Sequence, residues 1–517
     1  MLSGVSFGDI ALAITSATSL SALLARGAAE APALRAPGRP ALTHGALRDL
    51  ATRTVAALNG RGIGRGERVA IVLPNGPEMA AAFLCIAAGA CTAPLNPAYK
   101  QDEFAFYLED LKPRALVVQR GVETSARAAA EGLGIPVLEL VPGEAAGDFT
   151  LEGGTPGAAA RPGMGEAEDG ALVLHTSGTT ARPKIVPLSQ RNICASAAHI
   201  GATLELGEAD VCLNIMPLFH IHGLIAAVLS SVAAGGAVVC TPGFDGMRFF
   251  RLLEEERPSW YTAVPTMHQV ILARAERNAD VIARAPLRFI RSSSASLPGP
   301  VMEAMEKAFG CPLVESYGMT EAAHQMASNP LRGARKPGAV GLPAGPEVAI
   351  MDEDGTILPQ GGIGEVVIRG PNVTAGYDNN PDANAKAFTD GWFRTGDQGM
   401  LDTDGYLVLT GRLKELIKRG GEQVSPLEVD GVLSAHPAVA QALTFSIPHK
   451  MLGEEVGAAI VLRDGQEVTE RELRDFAAKQ LADFKVPRKI VFLPEIPKGA
   501  TGKLMRIGLA EKLGVTA

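Results

Sequence analysis

The run His175-Thr176-Ser177-Gly178-Thr179-Thr180-Ala181-Arg182-Pro183-Lys184 is the segment of this 517-residue sequence best suited to hold an anion. Small residues carrying hydroxyls or no side chain leave backbone N–H groups free to point at an anion, and Lys184 adds a point charge. By composition this is a phosphate cradle. It is not a Walker A loop, because the GxxxxGK signature is absent and the loop leads into a strand-like run, Ile185-Val186-Pro187-Leu188. Downstream, Ser316-Tyr317-Gly318-Met319-Thr320-Glu321 sets a ring, a hydroxyl and a carboxylate after another strand-like run. Mg²⁺ held against nucleotide phosphates needs few carboxylates, so Glu321 beside Thr320 suffices. Thr395-Gly396-Asp397 offers a carboxylate to ribose hydroxyls, Gly411-Arg412-Leu413-Lys414-Glu415 follows, and Pro497-Lys498-Gly499-Ala500-Thr501-Gly502-Lys503 delivers a lysine on a glycine loop. Each segment alone has a plainer account: a solvated lysine, a charge at a helix start, a turn former, a surface ion pair. In this order and spacing they are not independent.

The elements that would position these loops alternate in type. A helical stretch at 46–59, an apolar strand at 67–74 and an Ala-rich helix at 79–90 predict parallel α/β units in the first 150 residues. Residues 150–165, rich in Gly, Pro and Ala, read as an exposed connector. A second α/β stretch has strand candidates at 171–174, 237–240 and 288–290. From about 345 to 410, short alternating strands with Asp354-Gly355, Asp390-Gly391 and Asp404-Gly405 turns predict a small β-rich lobe. Beyond Gly411, Ser425-Pro426-Leu427-Glu428 and Thr469-Glu470-Arg471-Glu472 read as capping boxes, and strands near 442–447, 457–462 and 489–493 complete a compact α+β unit. The fold class is thus a multi-lobed α/β N-terminal domain (two α/β subdomains and a β-rich lobe), residues 1–411, followed by a smaller α+β domain, residues 412–517.

Composition narrows the function. The 47% hydrophobic and 20% charged content suits a globular chain with a large core. A net charge of −8 without a long basic run argues against nucleic acid. Cys85, Cys91, Cys194, Cys212, Cys240 and Cys311 form no CxxC pair and have no histidines at zinc spacing, so free thiols in a reducing, cytoplasmic setting are expected. The apolar stretch 10–24 lacks a basic flank and is interrupted by Thr and Ser. It reads as an amphipathic helix rather than a membrane span, with a signal peptide as the weaker option. The 58 Gly and 35 Pro predict many turns and close backbone approaches.

Taken together, these motifs resemble the adenylate-forming acyl-CoA synthetases, carrier adenylation domains and luciferases, over almost the whole chain. The likeness is nearest to the oxalate–CoA ligase branch, through 217–223 (Pro-Leu-Phe-His-Ile-His-Gly), 260–266 (Trp-Tyr-Thr-Ala-Val-Pro-Thr), 291–297 (Arg-Ser-Ser-Ser-Ala-Ser-Leu) and 319–330. The resemblance implies an acid–thiol ligase that uses ATP, Mg²⁺ and CoA. A carboxylate attacks the α-phosphate to give acyl-AMP and pyrophosphate, and a thiol then takes the acyl group. It implies that Thr176, Ser177, Gly178, Thr179, Thr180 and Lys184 hold the β and γ phosphates, Thr320 the α phosphate and Glu321 the metal, with Tyr317 at the nucleotide. Asp397 and Arg412 would take the ribose, and Lys503 would bridge carboxylate and phosphate oxygens. Lys414 falls at the hinge, while Lys418, Gly420, Gly421 and Gln423 would line a pantetheine tunnel. The resemblance also implies that the smaller α+β C-terminal domain is mobile, that His220 sits at the entrance of the acyl pocket, and that Ser294 and His324 face the second carboxylate of a small diacid such as oxalate.

Two departures from the pattern stand out. Ala181 replaces a glycine usual in the phosphate loop, and Gly318 stands where the oxalate ligases are expected to have alanine, which would enlarge the pocket floor. Alternatives are a short- or medium-chain acyl-CoA synthetase, an adenylation enzyme loading a carrier protein in trans, and a catalytically silent nucleotide sensor. Retention of both Glu321 and Lys503 argues against the sensor. No GxSxG elbow surrounds Ser177, which removes a serine hydrolase. The oligomeric state, monomer or homodimer, is open.

Overall fold

The computed structural model describes residues 17–176, 183–497 and 504–515. Two large sheets form the body. The first runs, edge to edge, Phe149–Gly153, Val137–Pro142, Ala115–Gln119, Arg68–Val72, Cys91–Pro94, Gly170–His175 and Ile185–Ser189. Its interior pairs are parallel and its two outermost pairs antiparallel. The second has nine strands in the order Leu342–Pro343, His324–Ser328, Leu313–Met319, Phe289–Ser292, Trp260–Ala263, Val211–Asn214, Ala237–Cys240, Pro32–Arg35 and Leu42–Thr43. Strands with both faces covered read as continuous apolar runs, which is why Arg68–Val72 and Ala237–Cys240 were legible.

Helices fill the space between the two sheets. Helix Pro77–Ala87 is buried along its whole length, and helix Gln190–Thr203 starts on a full capping box from Ser189 to Asn192. Both belong to one apolar core that draws on both sheets. The antiparallel lobe follows: Glu347–Met351, Gly364–Arg369, Phe388–Thr389, Trp392–Leu401 and Leu407–Arg412. Its Gly355, Gly391 and Gly405 take positive φ in the expected Asp-Gly turns.

A fourth sheet, Glu422–Val424, Ile417–Arg419, Gly453–Leu462 and Val439–His449, with Lys489–Phe492 beside Gly453–Leu462, carries its own core against helices Pro426–Ser434 and Glu470–Ala478. Thr469 makes the anticipated capping box with Glu472. Ser425 makes only half of one: its hydroxyl accepts from the Glu428 N–H, but the Glu428 carboxylate pairs with Lys485 Nζ at 2.7 Å.

Two element expectations change. Residues 149–153 are not connector but an edge strand on Val137–Pro142, because alternate residues Phe149 and Leu151 bury on the sheet while Thr150 and Glu152 face out. Of the anticipated helix at 10–24, Leu20–Leu24 forms, burying Leu20, Leu23 and Leu24; the part before Ala17 lies outside the described residues. Among the described residues no helix is long and apolar enough to cross a membrane. All six cysteines are buried free thiols.

Candidate active site

In open parallel sheets, loops at the carboxyl ends of the strands form the binding crevice. Thr176 leaves strand Gly170–His175 at such an end, and Lys184 enters the antiparallel partner. The Thr176 N–H donates to the Lys184 carbonyl at 2.9 Å, and the Lys184 N–H donates to Thr176 Oγ1 at 3.3 Å, closing the base of the loop. Ser177, Gly178, Thr179, Thr180 and Ala181 lie outside the described residues.

Strand Leu313–Met319 delivers Tyr317 and then the 3₁₀ turn Thr320–Ala322. Glu321 is buried, and Tyr377 Oη donates to its Oε1 at 2.9 Å. Burial raises the Glu321 pKa, opposed by hydrogen bonds and by Lys184 and Arg412 nearby. Lys184 Nζ lies 4.2 Å from the centroid of the Tyr377 ring. Burial lowers the pKa of this amine, Glu321 works against that, and Lys414 adds to it. In the antiparallel lobe Asp397 and Arg412 are cross-strand partners, with Arg412 Nε 3.1 Å from Asp397 Oδ1, while Tyr317 Oη donates to the other carboxylate oxygen. Lys184, Tyr317, Thr320, Glu321, Asp397, Arg412 and Lys414 therefore gather in one region.

Lys418, Gly420, Gly421 and Gln423 form a hairpin in the fourth sheet. Lys418 and Gln423 sit opposite each other, and Gly420 and Gly421 make the turn at φ 60° and 93°. The Lys418 N–H donates to Glu454 and the Gly420 N–H to Leu452, so these bonds tie the hairpin to its own sheet. Lys503 lies outside the described residues; just after it, Arg506 pairs with Asp430 at 2.5 Å and with Glu415 at 3.3 Å.

A second cluster occupies the ends of strands Trp260–Ala263, Phe289–Ser292 and His324–Ser328. Its centre is Arg291, fully buried, whose guanidinium lies 3.5 Å from His222 Nε2, 3.5 Å from His324 Nδ1 and 3.3 Å from Gln325 Oε1. His222 also bonds Ser294 Oγ at 3.0 Å and Thr262 Oγ1 at 2.6 Å. Among the described residues no carboxylate pairs with Arg291, and its Nε has no partner. Burial brings its pKa down to about 9, which still leaves it cationic at neutral pH. Burial first, and Arg291 next, hold His222 and His324 well below the ordinary imidazole range, so both rings are neutral. A buried cation without a counter-charge is costly. The arrangement is built to receive an anion, with one charge and several hydrogen-bonding groups converging on it.

Backbone geometry supports that reading. Ser294, Ala323 and His324 have φ of 73°, 48° and 102°, values that side-chain-bearing residues rarely adopt and that concentrate where function holds them. His222 opens a π-helical stretch, His222–Leu229, another irregularity common at functional sites.

Ser294 and His324 both belong to this cluster, Ser294 through His222 and His324 through Arg291. His220 is half-buried beside the cluster, its ring 4.5 Å from that of Phe219, and His222, which the sequence left without a role, contributes an imidazole to the cluster itself. The motif 291–297 by itself gives Arg291 no role. The signal was there, since an arginine directly after Phe289-Ile290 in a fully buried strand needs a reason. Gly318 also changes meaning. A Cβ there would overlap the His324 carbonyl oxygen at the bulge between Tyr317 and Gly318, so the glycine permits close backbone approach rather than enlarging the pocket floor.

Residues 24–378 match the AMP-binding enzyme family and residues 428–503 the AMP-binding enzyme C-terminal domain. An oxalate–CoA ligase of Arabidopsis thaliana is 45% identical over 500 residues, covering 94% of this chain and 97% of that protein. An oxalate–CoA ligase of Saccharomyces cerevisiae is 42% identical over 475 residues, covering 86% and 87%. Among solved structures, ATP-bound MatB from Rhodopseudomonas palustris superposes with a TM-score of 0.86 at 30% identity, covering 96% of this chain and 98% of that one.

Proposed function

The chain belongs to the AMP-binding enzyme family, and from that premise we propose that it is an AMP-forming acid–CoA ligase whose acid is a small dicarboxylate, oxalate first. The observation that carries the choice of acid is Arg291: a buried cation, unpaired with any carboxylate among the described residues, between two neutral imidazoles and the Ser294 hydroxyl. A monocarboxylate with an apolar tail would leave that charge uncompensated, whereas the second carboxylate of a diacid neutralises it. The two oxalate–CoA ligases, alike over most of their length, support the same reading.

In the first half-reaction one acid oxygen bonds to the α-phosphorus of ATP and the bond to the leaving pyrophosphate breaks. In the second, a CoA thiol attacks the acyl carbon, loses its proton, and AMP leaves. Lys184 balances phosphate charge, Asp397 accepts from the ribose hydroxyls with Arg412 beside it, and Thr320 meets the α-phosphate. Glu321 suits Mg²⁺, which needs one protein carboxylate when phosphates supply the other oxygens, and its buried carboxylate beside Lys184 fits that role. When bound, the ion would neutralise charge on the phosphates. Lys503 belongs to adenylation, and the 412–517 domain, turning about Lys414, would exchange it for the Lys418–Gln423 hairpin and admit CoA. Six buried thiols suit a cytoplasmic enzyme.

The Arg291→Leu variant tests the choice of acid. Loss of the charge should lower kcat/KM for oxalate by about 100-fold or more while changing the value for acetate by less than about threefold. Equal losses for the two acids would contradict it.

A further inference from the structure

Tyr377 was not among the residues singled out in the sequence, yet it touches two charged groups on the nucleotide side, Glu321 and Lys184. Its hydroxyl donates to Glu321 Oε1 at 2.9 Å, and the face of its ring lies 4.2 Å from Lys184 Nζ. Only 8% of the residue is exposed. The surrounding chain fixes it from several directions. The Tyr377 N–H donates to Asn384 Oδ1 at 2.7 Å and Asn384 Nδ2 returns a bond to the Tyr377 carbonyl at 2.8 Å. Just before it, the Thr374 N–H donates to the Glu321 carbonyl at 2.7 Å and Thr374 Oγ1 to Pro187; just after it, the Asp378 N–H donates to Ile185. Segment 374–378 is therefore stitched both to the turn that carries Glu321 and to the strand that begins just after Lys184. Gly376, at φ 141°, sits where a Cβ would press on Asn384.

A tyrosine is suited to this place for two separate reasons. Its hydroxyl can hold one carboxylate oxygen and leave the other free, and its ring can carry an ammonium without neutralising it. A carboxylate in place of the ring would bind Lys184 directly and cancel the charge meant for phosphate. We propose that Tyr377 is the positioning residue of the nucleotide site, orienting Glu321 toward Mg²⁺ through its hydroxyl and Lys184 toward phosphate through its ring. This rests on the adenylation reading above.

The two functions separate by substitution. Tyr377→Phe keeps the ring and removes the hydroxyl; Tyr377→Leu removes both. Binding of ATP, measured calorimetrically without acid or CoA over a range of Mg²⁺ concentrations, gives a readout independent of turnover. In Tyr377→Phe the Mg²⁺ concentration giving half-maximal ATP binding should rise about three- to tenfold, while ATP affinity at saturating Mg²⁺ stays within about twofold. In Tyr377→Leu ATP affinity at saturating Mg²⁺ should fall by about threefold or more as well. In a Glu321→Gln background Tyr377→Phe should produce no further change in Mg²⁺ dependence, a result that general loosening of the site would not give. An unchanged Mg²⁺ dependence in Tyr377→Phe, or an undiminished effect in the Glu321→Gln background, overturns the proposal. If the wild-type chain binds no ATP under any of these conditions, the adenylation reading itself falls and takes the proposal with it.

Discussion

Arg291 and Glu315 lie in neighbouring strands of the second sheet, both buried, and neither has an oppositely charged partner among the described residues. Glu315 accepts from the Leu297 N–H at 2.9 Å, its other oxygen has no partner, and burial pushes its pKa up to about 8. A carboxyl whose folded value lies above its unfolded one contributes stability below about 4.5 that is lost as pH rises through the folded value. Between pH 5 and 9 the wild type should therefore lose roughly 2–4 kcal/mol from this group. Glu315→Gln should flatten that decline, as read from urea midpoints across the range; an unchanged slope would show that Glu315 titrates normally. Lys184, Glu321, Asp397 and Arg412 were legible because each sits in a short local motif. Arg291, His222 and Tyr377 were not, because what defines them is a partner far along the chain. Arg291 and His222 are 69 residues apart, and Tyr377 and Glu321 are 56 apart.

At the scale of elements, buried parallel strands declared themselves as apolar runs, and the antiparallel lobe through its Asp-Gly turns. The edge strand Phe149–Gly153 was hidden because its Gly- and Pro-rich continuation outweighed four alternating residues. The π-helical stretch His222–Leu229 was hidden because every residue after the histidine is apolar or glycine, which leaves no period to read. The bulge between Tyr317 and Gly318 is the element on which the acid site turns, since it brings the strand that delivers Tyr317 and Glu321 against the one that begins with His324. Gly318→Ala should cost about 2–4 kcal/mol of unfolding free energy, because the clash is with backbone and no side chain can yield. An unfolding free energy within about 0.5 kcal/mol of wild type by urea titration would mean the two strands can separate there freely.

In the whole molecule, the Arg291 cluster lies at the strand ends of the second sheet, Thr176 leaves a strand of the first, and Asp397 comes from the antiparallel lobe. Arg412 still pairs with Asp397 in that lobe, and the fourth sheet begins at Ile417 after the turn that carries Lys414. On the proposed reading the chain presents three surfaces to one reaction: a cation for the distal carboxylate, a set of groups for the nucleotide, and a separately cored unit to follow. The family reading needs all three, but the choice of substrate hangs on the first. Pyrophosphate release with MgATP and CoA, measured for oxalate, malonate, acetate, hexanoate and an aromatic acid, tests it most directly. Oxalate should give the highest kcat/KM, with acetate and hexanoate lower by at least about 100-fold. Acetate or hexanoate matching or exceeding oxalate would contradict the assignment of Arg291 and its two histidines to a second carboxylate.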